Sequence, residues 1–574
     1  MDNKPNNMEP TEPSETSRGV ATLPDPASVR LIPTGRSIVA GITAAPDLKS
    51  VIFSARNPAT GALLPSRFQA ATRGQVNEAA NEAWRAFDAG RTIGEEKRAE
   101  LLRAIADRLD AFEDDLVKFA AQETGLPSDR LSSELGRTTS TLRTFAGVIA
   151  EGSWRRPAID SPEPGRKPSP RPGLRTLLMP LGPVAVFGAS NFPLAYSTMG
   201  TDSASALAAG CPVIVKGHPL HPATGEITAQ IVSETVRAAG FPDGWFSFLH
   251  AGGEREQPIG RELLEHPCVR ASGFTGSVGG GTALAEIASK RPDPIPFFAE
   301  MGSTNPAFIL PGGLSREPIG IAQHLARAIS QFAGQQCTCP GLIFVTKGTQ
   351  GTAFMDRLAL ELRAVAPMPM LAARIRENYL KRLVTLIDLP GVRLAVGEAA
   401  AVRESAERVS AERPALEGPA LLRTTADTFL THSTLQDEVF GPAAVVVECE
   451  NAAQLMDCAG LIQGSLGASV FLSSADLGVA SDLVSVLSMR TGRIVFNGVT
   501  TGVEVGHATV HSGPFPACNR PESTAVGPRA LERWCRPVAF QNAPADLLAP
   551  ELRDENPRGC LRIVDGEPTR HPIG

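Results

Sequence analysis

The stretch FAGQQCTCPG, residues 332–341, sets two thiols, Cys337 and Cys339, one residue apart. Two close thiols can be a metal pair, a redox pair, or one nucleophile with a bystander. A zinc site needs further ligands, and its cysteines are usually spaced more widely. His218 and His221 in HPLH form another ligand-like pair, but prolines make that stretch a loop and nothing in the sequence ties it to Cys337. No metal is expected. A disulfide across so short a loop would be strained. Cys339 therefore reads as a bystander first and as a resolving thiol for an oxidised Cys337 second. Cys337 sits beyond the glycine that ends an amphipathic stretch, between elements, where a thiol is placed for attack rather than packing. Cys211, Cys268, Cys449, Cys458, Cys518, Cys535 and Cys560 read as small core hydrophobes.

Four other positions could carry chemistry. Asn191 in FGASNFPLA follows an apolar run, so its amide either points into a crevice or makes a turn before Pro193. In GFTGSVGGGTAL, Gly276, Gly279, Gly280 and Gly281 would let backbone approach a phosphate at a helix N-terminus. The spacing is not that of the dinucleotide fingerprint, and an ordinary glycine turn would look the same. Glu300 ends the apolar run FFAE, a costly place for a carboxylate unless it is solvated or functional. Glu438 precedes a Phe, a Gly and a Pro that force a turn.

These residues need elements to hold them. Helical spacing marks TRGQVNEAANEAWRAFDAG, GEEKRAELLRAIADRLDAFEDDLVKFAAQETGLP and LSSELGRTTSTLRTFAGVIAEG. A proline- and charge-rich excursion follows. Then GPVAVFGA, CPVIVKGH, WFSFLH and RASGFTGS alternate with helical stretches, one of them PLAYSTMGTDSASALAAG. Such alternation predicts a parallel sheet covered on both faces, with ligands at the carboxyl ends of its strands. A second α/β block runs from PFFAEMGSTNPAFIL to TGRIVFNG, and REPIGIAQHLARAISQFAG reads as one helix breaking at Gly334.

The chain has 574 residues, enough for two or three domains. A net charge of −6 with no long basic run argues against nucleic acid as a partner. The opening residues are polar and lack an apolar secretory core, and no apolar run is long enough to span a bilayer, so a soluble cytoplasmic protein is expected.

In order and together, GASNFP, VKGHP, FTGS, AEMGSTNP, GQQCTCPG and DEVFGP closely resemble the motif set of the aldehyde dehydrogenase superfamily, over roughly residues 36–545. PLGPVAVFGASNFPLAYS, IPFFAEMGSTNPAFILP and the late GVEVGHATVHSGPFPA look like the branch acting on α-ketoglutaric semialdehyde (2,5-dioxopentanoate), and also like related NADP-dependent fatty-aldehyde enzymes. The resemblance implies two doubly wound α/β domains and a small β flap for oligomerisation. It places a dinucleotide-binding domain at 36–154 and 179–297, a catalytic domain at 298–534 and the flap at 155–178 and 535–545. Residues 1–35 are expected to be disordered, and the tail 546–574 has no reading.

By the same resemblance Cys337 is the nucleophile, Asn191 and the Cys337 N–H hold the oxyanion, and Glu300 activates the water that cleaves a thioester. Lys216, Gly276, Ser277, Gly281, Glu438 and Phe440 would bind NAD or NADP. Many NAD-preferring relatives carry a glutamate where this chain has Pro219, which removes repulsion against a 2′-phosphate and implies that NADP is accepted. Arg137 is the candidate partner for a substrate carboxylate, whereas Arg143 is expected to be structural. Glu504, His507 and His511 would line the opposite wall, the histidines without catalytic duty or a metal-like partner. A homodimer or homotetramer is implied. The alternatives are a medium- or long-chain aldehyde dehydrogenase and an inactive binding protein on the same fold.

Overall fold

A computed structural model describes residues 28–574. Its first sheet runs, in spatial order, through the strands Phe297–Glu300, Ala271–Thr275, Val184–Phe187, Val213–Lys216, Phe246–Leu249, Ile38–Val39 and Ile42–Thr43. The first five are parallel, and the two short strands close one edge antiparallel. Val184–Phe187 and Phe246–Leu249 are buried at every position, because helices cover both faces. Helices 95–111, 128–151, 201–209 and 222–238 bury one face. Helices 73–89, 256–265 and 278–289 bury the other. Phe187 lies beside Lys216 and Phe274, and Thr275 beside Glu300. The strand ends expected to carry chemistry therefore open on one side of the sheet.

The second sheet runs Arg393–Val396, Ala420–Thr425, Ala443–Cys449, Leu342–Thr346, Ala307–Ile309, Ala468–Phe471, Ile494–Phe496. Only its first strand is antiparallel to its neighbour. Apolar cores fill both of its faces. The protein thus has the mixed α/β architecture implied by the alternating pattern.

Three local expectations change. Residues 193–200 are turns, and the helix there covers only Thr201–Ala209, since a buried loop carries the chain from the strand to the helix. The helix before Cys337 spans Pro318–Ser330 and ends ahead of Gly334, because Phe332 and Ala333 both adopt left-handed backbone. Order also begins before residue 36: Leu31 is buried, and the Thr34 and Gly35 amides donate to Glu226 at 2.6 and 2.9 Å. Residues 1–27 of the expected disordered extension lie outside the described residues.

The tail is an integral strand pair. A third sheet runs Cys535–Gln541, Leu174–Pro180, Ala158–Asp160, Arg562–Val564, Glu567–Thr569, so the excursion and the tail share one sheet. The fully buried Glu551 meets Arg155 at 3.4 Å and Arg558 at 2.9 Å. Arg558 also donates to the Ile149 and Ala150 carbonyls, fastening the tail to the end of the 128–151 helix. No helix among the described residues is long and apolar enough to cross a membrane.

Candidate active site

The Cys337 loop is fixed through its carbonyls. Gly334 has φ +63°, and a Cβ there would lie 2.3 Å from the Gly441 carbonyl, so only glycine fits. The Asn305 side-chain amide donates to the Cys337 and Cys339 carbonyls at 2.8 and 3.0 Å. Thr500 donates to the Thr338 carbonyl at 2.7 Å. The Asn191 amide donates to the Gln335 carbonyl at 2.9 Å. Side chains from three distant segments thus hold one short loop. The Asn191 amide bonds the backbone of the Cys337 loop through one N–H and has a second to offer an oxyanion.

Three reactive side chains meet at this loop. His511 Nε2 lies 3.0 Å from Glu300 Oε1 and 3.8 Å from Cys337 Sγ. Glu300 and His511 are buried, and Glu300 Oε2 has no hydrogen-bond partner. Burial pushes the Glu300 carboxyl up, but His511 and the Cys337 thiol together hold it below its ordinary value. Burial and then the Glu300 charge push the Cys337 thiol well up, so the resting sulfur keeps its proton. The expectation that His511 lacks a partner is therefore overturned. The side chain comes from a segment rich in Gly, Ser and Pro with no local signal of chemistry, and only folding sets it against Glu300. Glu504 and His507 are exposed.

The 128–151 helix frames the other side. Glu134 accepts from the Leu194 and Ala195 amides at 2.8 and 2.9 Å, and Arg130 pairs with Glu134 at 3.0 Å. Arg130 also donates to the Asn191 carbonyl at 2.8 Å while lying between the Phe192 and Phe332 rings. This buried pair sets the Asn191 loop, and sequence reading had not singled it out. Arg137 donates to the Tyr196 hydroxyl at 2.9 Å, and the Tyr196 ring stands 6.1 Å from that of His511. Arg137 thus faces the reactive trio. Arg143 pairs with Asp107 and Asp110 at 2.7 Å each, away from it.

The cofactor candidates fall on strand ends and turns. Ser277 caps the helix Val278–Ser289, its hydroxyl accepting from the Gly280 amide at 3.2 Å. A Cβ at Gly281 would lie 2.6 Å from Met301 Sδ, and one at Gly276 would lie 2.6 Å from the Phe274 ring. Bare backbone at a helix N-terminus suits a pyrophosphate. Lys216 ends its strand, its amine pushed down by burial, with Glu256 opposing and Arg374 adding to the shift. Glu438 and Phe440 line a cavity that also touches Cys339. Burial pushes the Glu438 carboxyl up to about 8, against a hydrogen bond from the Ser303 backbone. These residues fit a dinucleotide cofactor.

The Cys339 sulfur donates to the Ala328 and Ile329 carbonyls, at 3.6 and 3.8 Å, inside the protein. Cys211, Cys449, Cys458, Cys518 and Cys560 are buried and free, whereas Cys268 and Cys535 are only partly buried. His218 and His221 stack on each other, and His221 bonds the Ala189 carbonyl.

A partly buried thiol, a carboxylate at a strand end and a serine-capped, glycine-rich helix start on an α/β double sheet define a class. The aldehyde dehydrogenase family profile spans residues 45–511, and the chain belongs to that family. It is an aldehyde-oxidising oxidoreductase that uses a nicotinamide dinucleotide, NAD(P). It is 39% identical over 529 residues to the alpha-ketoglutaric semialdehyde dehydrogenase of Acinetobacter baylyi, covering 92% of this chain and 97% of that one. It is 42% identical over 501 residues to alpha-ketoglutaric semialdehyde dehydrogenase 2 of Azospirillum brasilense, covering 87% and 93%. Among solved structures, the lactaldehyde dehydrogenase of Escherichia coli shares the fold with a TM-score of 0.74 at 20% identity, over 88% of this chain and 99% of that one.

Proposed function

We propose that this chain oxidises α-ketoglutaric semialdehyde to 2-oxoglutarate, with water supplying the second carboxyl oxygen and NAD(P)+ taking up the hydride. The observation that carries the reaction is the meeting of Cys337, His511 and Glu300. The likeness to two semialdehyde dehydrogenases and the position of Arg137 support the substrate.

Sγ of Cys337 attacks the aldehyde carbon. Nε2 of His511 lies beside both Sγ and Glu300 Oε1, so the imidazole takes the thiol proton, held against the Glu300 carboxylate, and passes it to solvent before the thioester is cleaved. The second Asn191 N–H and the Cys337 backbone amide donate to the oxyanion. When bound, the dinucleotide would supply the hydride acceptor, with Lys216 holding its adenosine ribose, Gly276, Ser277 and Gly281 its pyrophosphate, and Glu438 and Phe440 its nicotinamide ribose. A thioester on Cys337 remains, and Glu300 takes a proton from the water that cleaves it. Arg137 pairs with the substrate's distant carboxylate. The domains meet at the site: the first sheet carries the cofactor turn, the Asn191 loop and Glu300, so the implied boundary at 297/298 moves past the strand Phe297–Glu300, and the second sheet carries the Cys337 loop. The third sheet is the surface for assembly into a homodimer or homotetramer, and the compartment is the cytoplasm. Pro219 leaves NADP acceptable, which strict NAD use in initial rates would refute.

The deciding experiment is a panel of aldehydes compared by kcat/KM. Acidic semialdehydes should lead, and Arg137→Ala should raise their KM about tenfold or more while sparing uncharged aldehydes. A preference for long aliphatic aldehydes that ignores this substitution would replace the reading with fatty-aldehyde oxidation. Failure to bind cofactor would indicate an inactive protein.

A further inference from the structure

The reactive trio has the composition of a metal site. One ligand atom each from Cys337, His511 and Glu300 lies within 4.8 Å of the others, with sulfur to Nε2 at 3.8 Å and Nε2 to Oε1 at 3.0 Å. Tetrahedral zinc with ordinary thiolate, imidazole and carboxylate bonds sets such atoms roughly 3.5 Å and roughly 3.3 Å apart. Both separations lie within about 0.3 Å of that spacing, and the sulfur and carboxylate, within 4.8 Å of each other, close the rest of the way on the ion. Glu300 Oε2 is buried and unpartnered, a free donor already inside the site. The ligands also stand on fixed supports. Met301 donates to the Ala517 carbonyl at 2.7 Å, His511 donates through its backbone to Thr524 at 2.9 Å, and Asn305 holds the Cys337 carbonyl. Cys337 is only partly buried, which leaves a fourth position for water.

We propose that Cys337, His511 and Glu300 form an inhibitory site for a borderline-soft divalent cation of the zinc class. Binding replaces the thiol proton, which leaves to solvent, and involves no change of oxidation state. The nucleophile, its neighbouring imidazole and the carboxylate are all occupied at once, so the ion silences the site and shields the sulfur. Hard cations avoid thiolate and should not compete. Only the inhibition rests on the proposed function, since binding can be read without any aldehyde.

The test titrates the cofactor-free protein with Zn2+, and with Co2+ as a coloured probe. One ion per chain should bind at about micromolar concentration or tighter, with a thiolate-to-cobalt absorption band that Mg2+ does not produce. Zn2+ should slow iodoacetamide labelling of Cys337 in the unaltered protein by about tenfold or more, and EDTA should restore it. Cys337→Ala should abolish the band, and His511→Gln should weaken binding by about tenfold or more. Zinc affinity unchanged by both substitutions, or labelling of Cys337 unaffected by zinc, overturns the site. The labelling arm needs no variant, so a folding defect in His511→Gln leaves a decisive result. Should the aldehyde panel fail while zinc still protects Cys337, the functional reading falls and the metal site stands.

Discussion

The glycine turn at 276–281 and the trio around Cys337 adjoin, the Gly276 amide donating to the Glu300 carbonyl at 3.0 Å, yet the two are built by opposite means. The turn uses consecutive residues: a strand ends at Thr275, Ser277 caps the helix that follows, and glycines at 276 and 281 leave no room for a side chain. The trio joins Glu300 to His511 across 211 positions and Cys337 to His511 across 174. Backbone presents the first ligand site, and side chains form the second. A backbone site changes by degrees when one residue is altered. A site of three mutually dependent side chains loses a whole step.

Substitutions on the two sides should therefore differ in size and in the parameter they move. The largest effect is expected from Glu300→Gln, lowering steady turnover by on the order of 10²- to 10⁴-fold. Its initial burst of reduced cofactor should survive, because removing the carboxylate charge takes away one cause of the raised Cys337 pKa. Equal loss of burst and turnover in stopped-flow traces would assign Glu300 to the attack itself. His511→Gln should slow the burst by on the order of 10²-fold, which would separate proton removal from thioester cleavage. An unchanged burst would leave His511 as a support for Glu300.

Glu438 belongs to the cofactor side yet should behave as a titrating group. Its carboxyl is pushed up to about 8, so the folded protein favours the neutral form. The resulting stability is fully present below the ordinary glutamate pKa and is lost as pH rises through about 8. Ribose hydroxyls donate to a carboxylate, so cofactor binding should release a proton and tighten as pH rises toward 8. Calorimetry in buffers of different ionisation enthalpy would detect that proton, and Glu438→Gln should flatten the dependence. Ser277→Ala should have the smallest effect, since a lost helix cap costs about 1 kcal/mol. That equals roughly fivefold in cofactor affinity, with kcat unchanged. A large fall in kcat would erase the contrast between the two sides.

Legibility in the sequence followed the same division. The alternating blocks, the strand-end positions of Lys216 and Glu300, and the capped turn at Ser277 all depend on neighbours a few residues away, and each can be read from local pattern. The 193–200 turns misled because apolar residues in a buried loop imitate a helix. The tail stayed unreadable because its short strand pair, Arg562–Val564 with Glu567–Thr569, joins a sheet only by docking on the distant strand Ala158–Asp160. Arg130 and Glu134 look like any helical ion pair until the Asn191 loop is laid across them.

The sequence by itself determined a double α/β protein with a thiol between a helix and a strand, since periodicity and turn chemistry are properties of short segments. Tertiary structure alone decided that His511 stands between that thiol and Glu300, and that the amide of Asn191 fastens the loop before it. Such choices come from packing distant segments to within bonding distance, and no pattern in a linear chain encodes a distance between residues so far apart.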